Sequence, residues 1–428
     1  MRVAIIGAGI AGMTAAYDLA HAGHQVTVFE AAAQAGGLAS GFRDERWAWP
    51  LERFYHHMFQ TDKAIIGLTN AIGYGDKLFF RAQKTAQWWN GQGYDLNGPA
   101  QVLRFPALPP LDRLRFGLAA FYLKYLTNDW RSLERTTAAA WTARWAGRKV
   151  YAALWQPLLE GKFGPHAEQV NMAWLWARLK ARSFKLGYFM GGFQGFVDAL
   201  LGAIRRRGVT VQLNSPAQAI RSRAEGGWEL IVAGAEPQPF DRLIVTGSPQ
   251  LLTRLAPQLP SDYLGRLAGL RSMGAVVMTI ALTRPLTDSI YWLNLPKPEF
   301  PFLALVEHTN FIEPEHYGGD RLIYCGDYVE PDHEYFQLSK EQLLDRFMPA
   351  LKRVNPLFDP SWVRANWLHR EPYAQPIVTV NHSGNIPPLA TPLPGLYWAS
   401  MSQVYPWDRG TNFAVELGQQ VAKELMQH

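Results

Sequence analysis

Residues 2–30, RVAIIGAGIAGMTAAYDLAHAGHQVTVFE, decide the fold. The apolar run 2–7 reads as a buried parallel strand, the Ala-rich stretch 10–22 as a helix, and 25–30 as a second strand. That is one βαβ unit in about thirty residues. Between the first strand and the helix stands Gly7-Ala8-Gly9-Ile10-Ala11-Gly12, a GxGxxG motif. Gly7 permits the tight turn, Gly9 lets the backbone approach a pyrophosphate, and Gly12 lets the helix pack against the strand. The first helical turn, with Ile10 and Ala11, offers unpaired N–H groups and a positive dipole end to phosphates. Glu30 closes the second strand, where a carboxylate accepts hydrogen bonds from ribose hydroxyls and repels a 2′-phosphate. Strand, glycines, helix and acid together predict a dinucleotide site rather than a bare glycine turn.

The chain has 428 residues, more than one core holds, so two interleaved domains are expected. With 48% hydrophobic and 18% charged residues it is globular. The 16 Trp, 17 Tyr and 22 Phe suit either a ring-rich core or a ring-lined cavity. The net charge of +6 is scattered; its densest run, Arg205-Arg206-Arg207, falls where a helix ends before Gly208 and complements the helix dipole. Nucleic acid is not an expected partner. Cys325 is the only cysteine, which excludes a disulfide framework or cysteine metal cluster and fits a reducing, cytoplasmic setting. No metal is expected. Residues 114–126 form the most apolar helical stretch, interrupted by Arg115 and Lys124. It reads as a packed helix or as one lying on a bilayer, in peripheral contact.

Further strands are expected at 209–213, 217–222, 228–233 and 242–246, and others at 272–282, 301–306, 321–328 and 396–400. Helices are expected through 111–185, with Asp112 and Thr136 as caps, and at 193–207 and 411–426. The Pro-rich segments 296–301 and 387–394 read as loops, and Trp88-Trp89 as strand packing.

Past Glu30 come Ala31–Ala35 and then Gly36-Gly37-Leu38. An acid followed six residues later by a glycine pair resembles the FAD signature of the flavin amine oxidase, protoporphyrinogen oxidase and phytoene desaturase superfamily. Gln34 and Leu38 depart from it, standing where arginines are common. The resemblance extends to Gly191-Gly192-Phe193 with its helix, to residues 136–172, and to Gly395–Ser400 with Gly410-Thr411-Asn412 opening the last helix. Met401 replaces the acid usual in that ending.

The resemblance implies an α/β fold: a Rossmann-type, glutathione-reductase-like FAD-binding domain interleaved with a substrate domain of mixed sheet plus a helical subdomain. FAD-binding parts fall at 1–60, 186–255 and 391–428, and substrate parts at 61–185 and 256–390, the helices at about 111–185. It places Gly7, Gly9, Ile10, Ala11, Gly12, Glu30, Ala31, Gly36, Gly37 and Leu38 on the FAD, the backbone near Ala217 by the adenine, and Gly410, Thr411 and Asn412 towards the flavin ring. Residues 52–57, Glu-Arg-Phe-Tyr-His-His, would pass beside that ring. No cysteine lies in 396–410, so FAD is expected to be non-covalent.

His56 and His57 are the candidates for orienting substrate or relaying a proton; one buried, hydrogen-bonded and one exposed histidine is the structural alternative. Tyr55, Glu307, His308 and Trp407 are candidate substrate contacts, and Asp408 and Arg409 could pair and cap the last helix. The strand 272–282 holds no lysine of the kind that amine-oxidising members place near the flavin. The expected activity is oxidation of a largely apolar or aromatic small molecule by hydride transfer to flavin N5. Alternatives are a UDP-galactopyranose-mutase-like enzyme with Arg135, Arg144 and Arg148 along a nucleotide channel, an amine oxidase, or a non-catalytic FAD-binding protein.

Overall fold

The computed structural model describes residues 1–297 and 299–427; Pro298 and His428, within the segments 296–301 and 391–428, lie outside the described residues. The first strand, Arg2–Ile6, is the centre of a five-stranded sheet. Its order is Thr210–Gln212, Gln25–Phe29, Arg2–Ile6, Arg242–Val245, Leu396–Trp398, and every pairing is parallel. Parallel strands covered on both faces need apolar residues at successive positions, which is why 2–6 shows no polar alternation. Val3 and Ile5 pack with Met13, Phe193 and Val415 of three helices, Ile10–His21, Gly192–Arg206 and Thr411–Gln427. Ala4 and Ile6 face the other way, into Trp228, Leu230 and Leu252. That side is closed by an antiparallel three-stranded sheet (Ala217–Ser222, Trp228–Val232, Gln238–Phe240) and the helices Pro249–Leu255 and Ser261–Gly269.

A seven-stranded sheet follows the order Val363–Pro376, Ser272–Leu282, Arg321–Val329, Ala304–Glu307, Trp292–Asn294, Thr85–Trp89, Gln92–Asp95. It is antiparallel except where Trp292–Asn294 meets Thr85–Trp89. Val276, Met278 and Ile280 point to the helix Lys340–Val354, while Met273 and Ala275 point to Gln156–Phe163 and Met172–Ala181. Period-two alternation thus sends one strand's residues into two separate cores.

Several expectations shift. The helical stretch ends at Ala181, and Lys185–Phe189 is a strand between Met58–Phe59 and Leu78–Ala82. Thr137, not Thr136, caps the helix Ala138–Trp145, its Oγ1 accepting from Ala140 N at 3.2 Å; the Thr136 carbonyl accepts from Met172 N instead. Pro109 holds the cap position before Pro110–Phe121, with Asp112 in the first turn. The strand expected from 301 starts at Ala304.

The helix Pro110–Phe121 buries none of its side chains. Leu111, Leu114, Leu118 and Phe121 are 70, 59, 63 and 53% exposed, one stripe at helical spacing, and the stripe continues through Tyr125 and Leu126. The packed-helix reading of this segment is therefore replaced by one with an open apolar face.

Candidate active site

The turn from the first strand into its helix is built on glycines, and at Gly7 and Gly12 no side chain fits. Gly7 has φ +108°, and a Cβ on Gly12 would stand 2.0 Å from the Gly7 carbonyl oxygen. A Cβ on Gly9 would meet nothing within 4 Å, so this is the open side of the loop. No side chain caps the helix that Gly9 begins, which leaves the N–H groups of the first turn to an anion. Gly36, with φ +118°, donates its N–H to the Ala8 carbonyl at 2.9 Å and bridges Gly9 in parallel fashion. A Cβ on Gly37 (φ +55°) would stand 3.4 Å from Gly9 Cα, and Leu38 continues a short 3-10 turn. The two glycine motifs, at Gly7–Gly12 and Gly36-Gly37, form one cradle.

Glu30 accepts from Ala8 N at 2.8 Å and from Ala32 N at 2.9 Å. Each of its oxygens keeps a lone pair for a ribose hydroxyl. Ser215 N donates to the Glu30 carbonyl and Asn214 N to that of Ala32, which brings the strand beginning at Ala217 to the end of the cradle beyond the exposed Ala31. The open cradle, the uncapped helix and the remaining carboxylate lone pairs fit an adenine dinucleotide.

A second centre lies around residues 54–57. Tyr55 makes edge contacts with Trp292 (5.0 Å) and Tyr324 (5.8 Å), its ring lying where a Cβ on Gly326 would be. His56 Nδ1 donates to the Phe54 carbonyl at 2.5 Å, which fixes its tautomer and leaves Nε2 as an acceptor. His57 packs edge-on to Trp292 and Phe59, and its Nδ1 has no partner among the described residues. Burial pushes His56 down to about 4 and His57 to about 3, where Arg182 and other nearby cations add to the effect. Both rings are neutral at pH 7.

Those cations come from three elements. Lys162 projects from Gln156–Phe163, Arg178 from Met172–Ala181 with Arg182 at its end, and Arg409 precedes the last helix. Asn171 caps the second of these helices, accepting from Trp174 N at 3.0 Å. Lys162 is 8% exposed, with its Nζ 3.2 Å from Gln375 Oε1 and 4.7 Å above the Tyr328 ring. Asp408 binds Arg178, Trp174 Nε1 (3.1 Å) and Gln375 Nε2 (3.3 Å). Burial opposes its charge, yet Lys162, Arg178 and Arg409 hold its carboxyl well below the usual range. Burial and Arg178 lower Lys162 well below an ordinary lysine.

The profile of the flavin containing amine oxidoreductase family matches residues 10–426. The chain belongs to that family. FAD is accordingly its cofactor and redox chemistry its reaction class. The fold is that of a putative protoporphyrinogen oxidase from Exiguobacterium sp. 255-15, with 18% identity, a TM-score of 0.78, and 100% of this chain and 99% of that one covered. It is also that of cyclohexylamine oxidase from Brevibacterium oxydans IH-35A, with 16% identity, a TM-score of 0.72, and coverage of 100% and 98%. The L-amino-acid oxidase BjussuLAAO-I of Bothrops jararacussu is 56% identical over 48 residues, 11% of this chain; the chain spans about a tenth of that relative's length.

Within this family frame the expected residues fall into three groups. Those of the glycine cradle, with Glu30 and the approach to Ala217, lie together. Tyr55, His56 and His57 form the second centre, and Trp407 stacks on Phe413 beside Trp176 near the cations. Gly410 and Thr411 open the last helix, but the side chain of Asn412 is engaged elsewhere: Oδ1 accepts from Ala64 N and Ile65 N, capping Lys63–Ala71. Glu307 lies apart from the centre. Its carboxylate accepts from Leu286 N (3.0 Å), Thr287 N and Thr287 Oγ1 (both 2.7 Å), and burial raises it to about 7. His308 meets the Tyr317 hydroxyl at 2.8 Å in a ring cluster with Tyr188 and Tyr324. Arg135, Arg144 and Arg148 are exposed. Sequence reasoning missed Lys162, Arg178 and Arg182. The signal was present: Lys162 interrupts apolar neighbours at core spacing in Leu158-Leu159-Glu160-Gly161-Lys162-Phe163.

Proposed function

We propose that this protein oxidises a largely apolar or aromatic small molecule with non-covalently held FAD. The supporting observation is the ring wall of Tyr55, Trp292 and Tyr324 beside two neutral histidines. FAD, once bound, supplies a hydride acceptor. The chain's own contribution is a dry, ring-lined surface that orients the substrate, and the free Nε2 of His56 or Nδ1 of His57 as a proton acceptor. Amine oxidation is disfavoured: a protonated amine would meet Lys162, Arg178, Arg182 and Arg409, and Ser272–Leu282 carries no lysine. The same cations favour one second reading, a mutase-like reaction on a nucleotide sugar.

The division into FAD-binding parts (1–60, 186–255, 391–428) and substrate parts (61–185, 256–390) belongs to this proposal. The parallel sheet takes all its strands from the former and the seven-stranded sheet all of its from the latter. Peripheral contact with an anionic bilayer is the role proposed for Pro110–Phe121, whose open apolar stripe is flanked by Arg113, Arg115 and Lys124.

Changing His56 and His57 together to Gln tests the chemistry. FAD should stay bound while flavin bleaching in rapid mixing slows on the order of 10²–10⁴-fold. A double variant that holds FAD and is reduced at the parent rate makes both histidines structural.

A further inference from the structure

Lys162, Arg178, Arg182 and Arg409 enclose more positive charge than the protein around them neutralises. Asp408 is the carboxylate set among them, and it is paired to Arg178. Lys162 has three donors and, among the described residues, one hydrogen-bond acceptor, the Gln375 amide oxygen. Ring faces of Tyr328 and Trp174 take up part of its charge. Arg182 reaches only the Thr85 hydroxyl (3.3 Å) among the described residues. Arg409 donates to the Tyr328 hydroxyl, and its Nε has no partner among the described residues. The His57 ring, whose Nδ1 has no partner among the described residues, lies near Arg182, Arg178 and Lys162. Lys162 is buried, Arg178 and Arg409 are half-buried and Arg182 stands at the exposed edge of the group. An excess of cations withdrawn this far from water is costly unless an anion shares the space.

Structural pairing explains Arg178 and Asp408. It does not explain why Lys162 and Arg409 both converge on Tyr328, at 4.7 and 5.2 Å from its ring. Helix packing alone would place an apolar residue at 162, where Leu159 and Phe163 already fill the core.

We infer that Lys162, Arg182 and Arg409, with Arg178 held by Asp408, form a binding site for an oxyanion carried by the substrate. This rests on the oxidoreductase reading for the word substrate, and on the cation geometry alone for the site. The oxyanion is a carboxylate on an aromatic or apolar body, or a phosphate. An arginine fork takes either bidentately, and the lysine adds a point charge. The rings of Tyr55, Trp292 and Trp407 would then carry the apolar part.

The test is calorimetric titration of the FAD-loaded protein with pyrophosphate, 2-naphthoate and 2-naphthylmethylamine, with no turnover involved. Binding of either anion, with the amine much weaker, supports the site. Tighter pyrophosphate points to a phosphorylated substrate, tighter naphthoate to a carboxylated one. Arg182→Gln should weaken the anion about ten- to a hundredfold while FAD stays bound, the loss typical of one charged hydrogen bond. Lys162→Gln is a second variant on a different helix, and the parent titrations stand without either. Absence of binding by both anions, equal binding of the amine, or an affinity unchanged in both variants overturns the inference. Failure of the histidine variant with anion binding intact would reject the proposed proton transfer alone.

Discussion

Replacing Glu30 by Ala removes a carboxylate that does two things at once. It accepts the N–H of Ala8 inside the glycine loop and that of Ala32 beyond the second strand, at 2.8 and 2.9 Å. It also holds lone pairs open to the adenosine ribose. A hydrogen bond to a charged group contributes about 1.5–3 kcal/mol. Losing the ribose contact alone therefore weakens FAD about ten- to a hundredfold. Freeing Ala8 N loosens the loop that Gly36 joins, so the apoprotein should lose some stability as well. Glu30→Gln separates the two effects, because its amide oxygen can still accept one of the two N–H groups while its NH2 opposes the other. The assay is reconstitution of apoprotein with FAD, followed by flavin fluorescence, with thermal unfolding of the apo form in parallel. The expected order of affinity is parent, Gln, Ala. FAD affinity unchanged in the Ala variant would refute the reasoning, whatever the melting temperature does.

Three further outcomes are expected. The purified protein is yellow, and acid precipitation releases intact FAD into the supernatant; flavin that stays with the pellet would contradict non-covalent binding. Burial raises Glu52 to about 7 although Tyr188 and Phe193 N bond to it. The folded state therefore binds a proton more tightly than the unfolded chain, so stability falls as pH rises from about 4.5 to about 7, by up to about 3 kcal/mol, and levels off above. Glu52→Gln should flatten that slope in melting curves, and an unchanged slope would assign it to other groups. Vesicles containing anionic lipid should sediment the protein at low salt and release it as salt rises, and Leu114→Glu with Leu118→Glu should abolish this. No sedimentation at low salt would leave the apolar stripe without a bilayer role.

The FAD half was legible because its determinants are local. GxGxxG, the acid at 30 and the glycine pair at 36–37 each act within a few residues, and a buried parallel strand announces itself by an unbroken apolar run. The strands Ala217–Ser222 and Ser272–Leu282, both antiparallel, match the expected bounds to the residue. Val363–Pro376 was not foreseen. Most of its residues are half-buried on both faces, so the alternation that marks a strand is weak. Lys340–Val354 also escaped, its capping box of Ser339 and Gln342 notwithstanding, with Pro349 inside the helix. The cation centre could not be assembled from sequence, because Lys162, Arg178 and Arg409 meet only through tertiary packing. Asn412 shows the converse: its place in a motif suggested the cofactor, while its side chain serves a helix 347 positions away.

The parallel sheet has a consequence for biosynthesis. Its central strand pairs with residues 242–245, and the outer edge of those is covered only by Leu396–Trp398. The helix after the glycine loop waits longer still, for Gly418 to pack so closely that a Cβ there would stand 2.4 Å from the Ala11 carbonyl. A nascent chain emerging from the ribosome therefore carries its nucleotide loop long before residues 242–245, 396–398 and 418 arrive to complete it. Until then it exposes apolar strand edges, the surfaces most prone to mispairing. A premature stop ahead of Leu396–Trp398 and Thr411–Gln427 should yield an aggregating chain rather than a smaller flavoprotein.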